Sequence, residues 1–164
     1  MKKSVLCFLL ALITAIGIYD QTVAYAVPTA QYAILEENRD FVNQIEDQVE
    51  SGTLIFQLPY VNWPSGGSYR MFAGYLESDT LRWSFGCMQG RKEARWQDKT
   101  ANSRVNKMLK RLTNKGYGGV YMDKFVYTQR FGEEKADRIC SKLTEKLNRK
   151  PLISKNGELY FWKM

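Results

Sequence analysis

Histidine is absent from the 164-residue chain. Its absence removes Ser-His-Asp and Cys-His couples, an imidazole base working near neutral pH, and the usual zinc ligand. Cysteine is scarce: Cys7, Cys87 and Cys140 cannot make a disulfide framework. Cys7 lies in an apolar segment, which leaves Cys87 and Cys140 either to pair outside the cell or to stand as two buried thiols. Internal repeats and low-complexity runs are also missing. The sequence calls for no metal and no cofactor.

What remains is ordinary for a globular protein: 45% hydrophobic and 25% charged residues, in a length that suits one domain with a real core. The charge is unevenly placed. Residues 1–103 hold nine Lys/Arg against eleven Asp/Glu, a balance of −2, and residues 104–164 hold fifteen against six, a balance of +9. Together these give the net +7. Such a skew favours anionic neighbours such as phospholipid, a lipid-linked phosphate or a phosphate-bearing polymer. The plainer alternative is that lysines on solvated helix faces keep the protein soluble. No helix-turn-helix or RNA-binding signature is present, so nucleic acid is not an expected partner.

Lys2 and Lys3 precede an uncharged apolar run, Val5 to Tyr19. Residues 1–19 read as a signal peptide, with a small-x-small site at Ala24-Tyr25-Ala26, or as a single membrane helix. In both readings the lysines hold the N-terminus inside, and the remainder lies outside the cytoplasm. The expected location is therefore the cell membrane, single-pass with the C-terminal part outside, or alternatively the periplasm or medium. Residues 20–35 read as a connector and 36–164 as an extracytoplasmic α/β domain.

Within that domain Asn38 can cap a helix to about Glu50, its stripe being Phe41, Ile45 and Val49. TLIFQLPY (53–60) is a strand stopped by Pro59, and 62–70 is a loop by composition. LRWSFG (81–86) is a strand followed by a basic turn. A helix from Asn102 or Ser103 to Gly116 carries Val105, Met108, Leu109 and Leu112. Gly118–Tyr127 is a strand with Val120 and Met122 on one face and Tyr121 and Asp123 on the other. A helix spans about Glu133–Asn148, and PLIS-KNG-ELYFW closes as a hairpin on Asn156-Gly157. The order implies an α/β fold with a small mixed β-sheet flanked by helices.

The stretch from Gly74 to Gln97 is the least explained by simple periodicity. Arg82, Trp83, Arg91 and Trp96 combine aromatic plates with forked cationic donors, a set suited to a sugar or phosphate. Ligands in sheets flanked by helices sit beyond the C-terminal strand ends. Those ends add Gln57, Tyr60, Tyr127 and Asp123 as candidate contacts. Asp123 is also the one candidate catalytic carboxylate, although a capping or ion-pair role at a strand-to-loop junction explains it equally. A glycosidase needs two carboxylates about 5–10 Å apart, and Asp123 has no partner in any motif.

QLPY (57–60), Pro64, GYLES (74–78), LRWSFGCMQGR (81–91), Trp96 and GYGGVYMDKFVY (116–127) occur in this order. In these motifs the chain resembles the C-terminal extracytoplasmic domain of bacterial multi-pass membrane proteins described as phosphoglycerol-transferase-like or sugar-transferase-like. The resemblance spans about Asp20 to Met164 and leaves out the upstream membrane helices. It implies an accessory domain of an envelope glycan or glycerophosphate transferase system, not catalytic on its own. Its implied partners are an envelope glycan or phosphate-bearing polymer, the cytoplasmic membrane and a polytopic membrane transferase. Two other readings stand beside it: a small secreted glycan hydrolase using Asp123, and a protein-protein docking module.

Overall fold

In the computed structural model, residues 3–21, 29–63 and 69–164 are described. The Ala24-Tyr25-Ala26 site, and Pro64 in the loop, lie outside the described residues. The chain divides into two units, Met1–Tyr32 and Ala33–Met164.

The first unit contains α1 (Lys3–Gln21), 19 residues with a mean hydropathy of 1.8 and none of them buried. At 1.5 Å per residue it is about 28 Å long, close to the thickness of a bilayer's hydrocarbon core. It is an apolar N-terminal helix compatible with a membrane anchor or a signal sequence.

The second unit is an α/β fold built on a five-stranded mixed sheet in the order β2-β1-β3-β5-β4. Its strands are β1 (Leu54–Leu58), β2 (Arg82–Trp83), β3 (Tyr117–Asp123), β4 (Leu152–Ile153) and β5 (Leu159–Lys163). β1 runs parallel to β2 and β3, while β5 pairs antiparallel with β3 and β4. Strand alternation divides the core between two faces. Phe56, Leu58, Val120, Met122 and Trp162 pack against α5 (Val105–Asn114) and α7 (Glu133–Leu147). Ile55, Trp83, Tyr121, Leu159 and Phe161 pack against Phe41, Val42 and Ile45 of α2 (Thr29–Glu46). Helices thus cover both faces, as the parallel β1–β3 core requires.

Glycine keeps the centre of the sheet close-packed. A Cβ at Gly119 would overlap the Phe161 ring and lie 3.2 Å from Ile55 Cδ1. Gly119→Ala is therefore expected to lower stability by about 1–3 kcal/mol through overpacking, read from urea denaturation of the full chain in detergent micelles.

Three expected elements are corrected. The basic turn after β2 is a helix, α4 (Lys92–Ala101), whose buried residues Ala94, Gln97 and Thr100 include two polar ones, so no apolar stripe marks it. Lys124–Tyr127 is not strand but the start of α6 (Lys124–Phe131). The Asp123 carboxylate accepts from Val126 N at 2.9 Å, ending β3 and capping the helix. Thr29–Leu35, read as connector, is already helical in α2, which stops at Glu46 instead of Glu50. There Glu46 Oε1 accepts from Ser78 Oγ, Asp79 N, Thr80 N and Thr80 Oγ1 at 2.7–3.1 Å, tying α2 to the turn before β2.

Candidate functional site

The connection from β1 leaves through a short 3-10 helix (Tyr69–Phe72) and α3 (Ala73–Glu77) to β2 on one flank. The connection from β3 leaves through α6 and α7 towards β4 at the other edge. Neighbouring parallel strands whose connections diverge open a crevice at their C-terminal ends, the usual ligand position in such sheets.

At this end of the sheet the chain gathers aromatic rings. Trp63 lies 6.1 Å from Tyr69, 5.2 Å from Phe72 and 6.4 Å from Phe85, edge to face in each case. Tyr69 and Phe72 stack at 6.2 Å, and Phe72 meets Phe85 edge-on at 4.7 Å. Phe85 is buried with Val61, Met71 and Val126 beneath the group, while Trp63 and Phe72 are half-buried and Tyr69 is 77% exposed. The result is an aromatic rim with a buried base, Phe85, and an exposed outer ring, Tyr69. Trp63 is braced from behind by a bridge to Met88, its carbonyl accepting from Gln89 N at 2.9 Å.

Two polar devices hold this rim. Gln57, 3% exposed, donates from Nε2 to the Met71 carbonyl at 2.9 Å and accepts on Oε1 from Phe85 N at 2.9 Å. One side chain thus fixes both backbone segments that present the rings. Its own backbone N–H donates to Ser84 Oγ at 2.8 Å, and Gln97 Nε2 donates to the Ser84 carbonyl at 2.9 Å. The second device is a guanidinium between two carboxylates. Arg70 donates from Nε to Asp123 Oδ2 at 3.0 Å and from Nη2 to Glu158 Oε2 at 2.7 Å, and its plane lies 4.8 Å from the Phe125 ring centroid.

Burial works against the Arg70 cation, but Asp123 and Glu158 outweigh it and raise its pKa. Burial pushes the Asp123 carboxyl above its ordinary range. The Val126 N–H and Arg70 pull it down without cancelling that rise, and Glu158 adds to it. Asp123 is 1% exposed, so it is not a surface a substrate can reach. Arg70 and Glu158, at 29% and 34% side-chain exposure, keep polar atoms at the surface beside the rim.

The predicted residues divide among several places. Gln57 and Asp123 come together here, as internal supports and not as contacts. Tyr60 is half-buried, its hydroxyl pKa raised by burial and by nearby Asp98 and Cys87. Trp83 is core: 6% exposed, edge-on to Tyr121 at 5.3 Å, its indole N–H buried without an acceptor, and its ring pressed against Gly74. Trp96 stacks on Tyr117 at 6.0 Å and meets Phe56 edge-on, on the opposite face of the sheet. The two indoles therefore cannot share one contact surface. Arg82 on the edge strand and Arg91 at the start of α4 are exposed, and Tyr127 packs towards α7 beside Phe131. Sequence reasoning missed Arg70, Glu158, Trp63, Tyr69 and Phe72. The available signal was the presence of aromatics in a stretch otherwise made of loop residues, NWPSGGSYR (62–70), where no core demands them.

Burial, with Glu93 nearby, raises the pKa of Cys87, and burial pushes Cys140 up to about 11; both are free. Among the described residues no group of three or more Cys, Asp or Glu side chains is placed to hold a metal ion. Compared with models of known families, with curated proteins and with solved structures, the chain finds no match.

Proposed function

We propose that the α/β unit is an extracytoplasmic accessory domain that holds a sugar-bearing acceptor of the cell envelope for a membrane transferase. The observation that carries this reading is the aromatic rim of Trp63, Tyr69 and Phe72, in the segment that follows the C-terminal end of β1. Aromatic faces receive the apolar faces of sugar rings, and the half-exposed Arg70 and Glu158 supply hydrogen bonds to hydroxyls. The apolar α1 helix and the motif resemblance support the membrane setting. QLPY supplies Gln57, LRWSFG supplies Phe85 and YMDK supplies Asp123, so the motifs on which the resemblance rests contribute the supports of this rim. The burial of Asp123 and its engagement by Arg70 and Val126 favour binding over hydrolysis.

The test is titration of the full chain in detergent micelles with a soluble N-acetylglucosamine oligomer and with a glycerol-phosphate-substituted glycan. Tyr69→Ala is expected to weaken binding of at least one of them about tenfold while leaving the melting temperature unchanged. Unchanged affinity for both, or no binding by the wild type, contradicts the reading.

A further inference from the structure

A second concavity lies between the start of α5 and the outer side of α7, with a volume of about 690 Å³. Its wall on α7 is a ladder of cations, Lys135, Arg138, Lys142 and Lys146, at spacings of three and four residues that put them along one side of the helix. Eleven residues separate the ends of the ladder, about 16 Å of helix rise. Arg104 faces it from the other wall, at the cap position of α5, whose first turn has no acidic residue and whose cap makes no side-chain hydrogen bond. Glu145 is the one carboxylate lining the groove, and it is occupied by Lys146; Arg138 is held by Glu134. Among the described residues Arg104, Lys135 and Lys142 have no carboxylate within ion-pair distance. Five cations around one concavity, against Glu145 in its lining and Glu134 beside Arg138, leave an excess of positive charge that an anion would relieve.

We propose that this groove binds a linear polyanion carrying phosphates at regular intervals, independently of the aromatic rim. Three features favour that ligand class. Lys135 and Lys142, the two cations of the ladder without a carboxylate partner, stand seven residues or about 10 Å apart along α7, so separate phosphates along one chain can each meet a partner. The site is concave and takes its lining from both α5 and α7, which suits a chain laid between two helices. Its lining also includes Tyr127, Ile139, Ser103 and Asn106, which suit the short organic or hydroxylated links between phosphates. The open N–H groups at the start of α5 add to the field at one end of the groove.

The experiment uses the full chain in uncharged detergent micelles, titrated with short linear inorganic polyphosphate and, separately, with orthophosphate. A third arm measures sedimentation with phosphatidylglycerol vesicles. Polyphosphate is expected to bind far more tightly than orthophosphate, and Lys135→Gln with Lys142→Gln to weaken it about tenfold. Lys110→Gln with Lys150→Gln, an equal loss of charge outside the groove, is expected to change it by less than about twofold. Equal losses from the two double variants mean a diffuse charge effect and overturn the proposal. So does wild-type affinity in the groove variant, or vesicle binding that falls with Lys135 and Lys142 while polyphosphate binding does not. Tyr69→Ala is expected to leave polyphosphate affinity intact, so failure of the rim reading and failure of this one are separately visible.

Discussion

Arg70→Met is expected to destabilise the α/β unit by about 3–5 kcal/mol at about pH 7, because it leaves the buried Asp123 carboxylate without its cation. Methionine retains most of the packing volume over Phe125, so the loss reports charge and hydrogen bonding more than cavity formation. The pH dependence identifies the cause. The folded-state pKa of Asp123 is raised above its ordinary value, so the folded protein holds this proton more tightly than the unfolded chain. Its contribution to stability is fully present below the unfolded pKa and is lost as pH rises through the folded one. Removing Arg70 raises that folded value further and extends the window upwards. The gap between variant and wild type is therefore expected to narrow when urea denaturation is repeated at about pH 5. A deficit that stays constant with pH would assign the loss to packing alone.

Gln57→Met is expected to cost about 2–4 kcal/mol, since it leaves the Met71 carbonyl and the Phe85 N–H buried without partners. The substitution is close in volume and lies beneath the rim without touching the solvent. It therefore separates a support from a contact: with the loss of stability, the 3-10 helix and the segment after β2 lose their common tie. Glycan affinity of the fraction that stays folded is expected to fall as well. Near-ultraviolet circular dichroism of the aromatic bands reads the loosening of the rim, denaturation the loss of stability, and glycan titration the loss of affinity. Full stability in this variant would mean that the two backbone groups find water and that Gln57 does not hold the rim.

Elements with an amphipathic stripe were legible in the sequence. The helix carrying Val105, Met108 and Leu112, the helix over Ala136 and Leu143, the alternation of Val120 and Met122 against Tyr121, and the Asn156-Gly157 hairpin all appear as read. α4 was hidden because its inward face is Ala94, Gln97 and Thr100, a pattern that binary hydrophobicity does not mark. α6 was hidden because KFVY has strand-forming residues, and only the capping bond from Asp123 decides otherwise. The site was legible in part. Strand-end reasoning located Gln57 and Asp123, but whether a polar residue at a strand end faces a ligand or its own backbone depends on pairings far along the chain. Gln57 reaches residues 14 and 28 positions away, and Arg70 joins partners 53 and 88 positions away. Trp83 was misleading for a related reason: an indole beside an arginine in an edge strand looks solvent-facing until Gly74 is seen to make room for it in the core.

The chain has four tryptophans, Trp63, Trp83, Trp96 and Trp162, and their indole N–H resonances can be followed separately in the nitrogen-labelled protein in micelles. During titration with the glycan that binds, the Trp63 signal is expected to shift while those of Trp83 and Trp162 stay in place. Movement of the Trp83 and Trp96 signals with Trp63 unmoved would contradict the aromatic rim as the recognition surface.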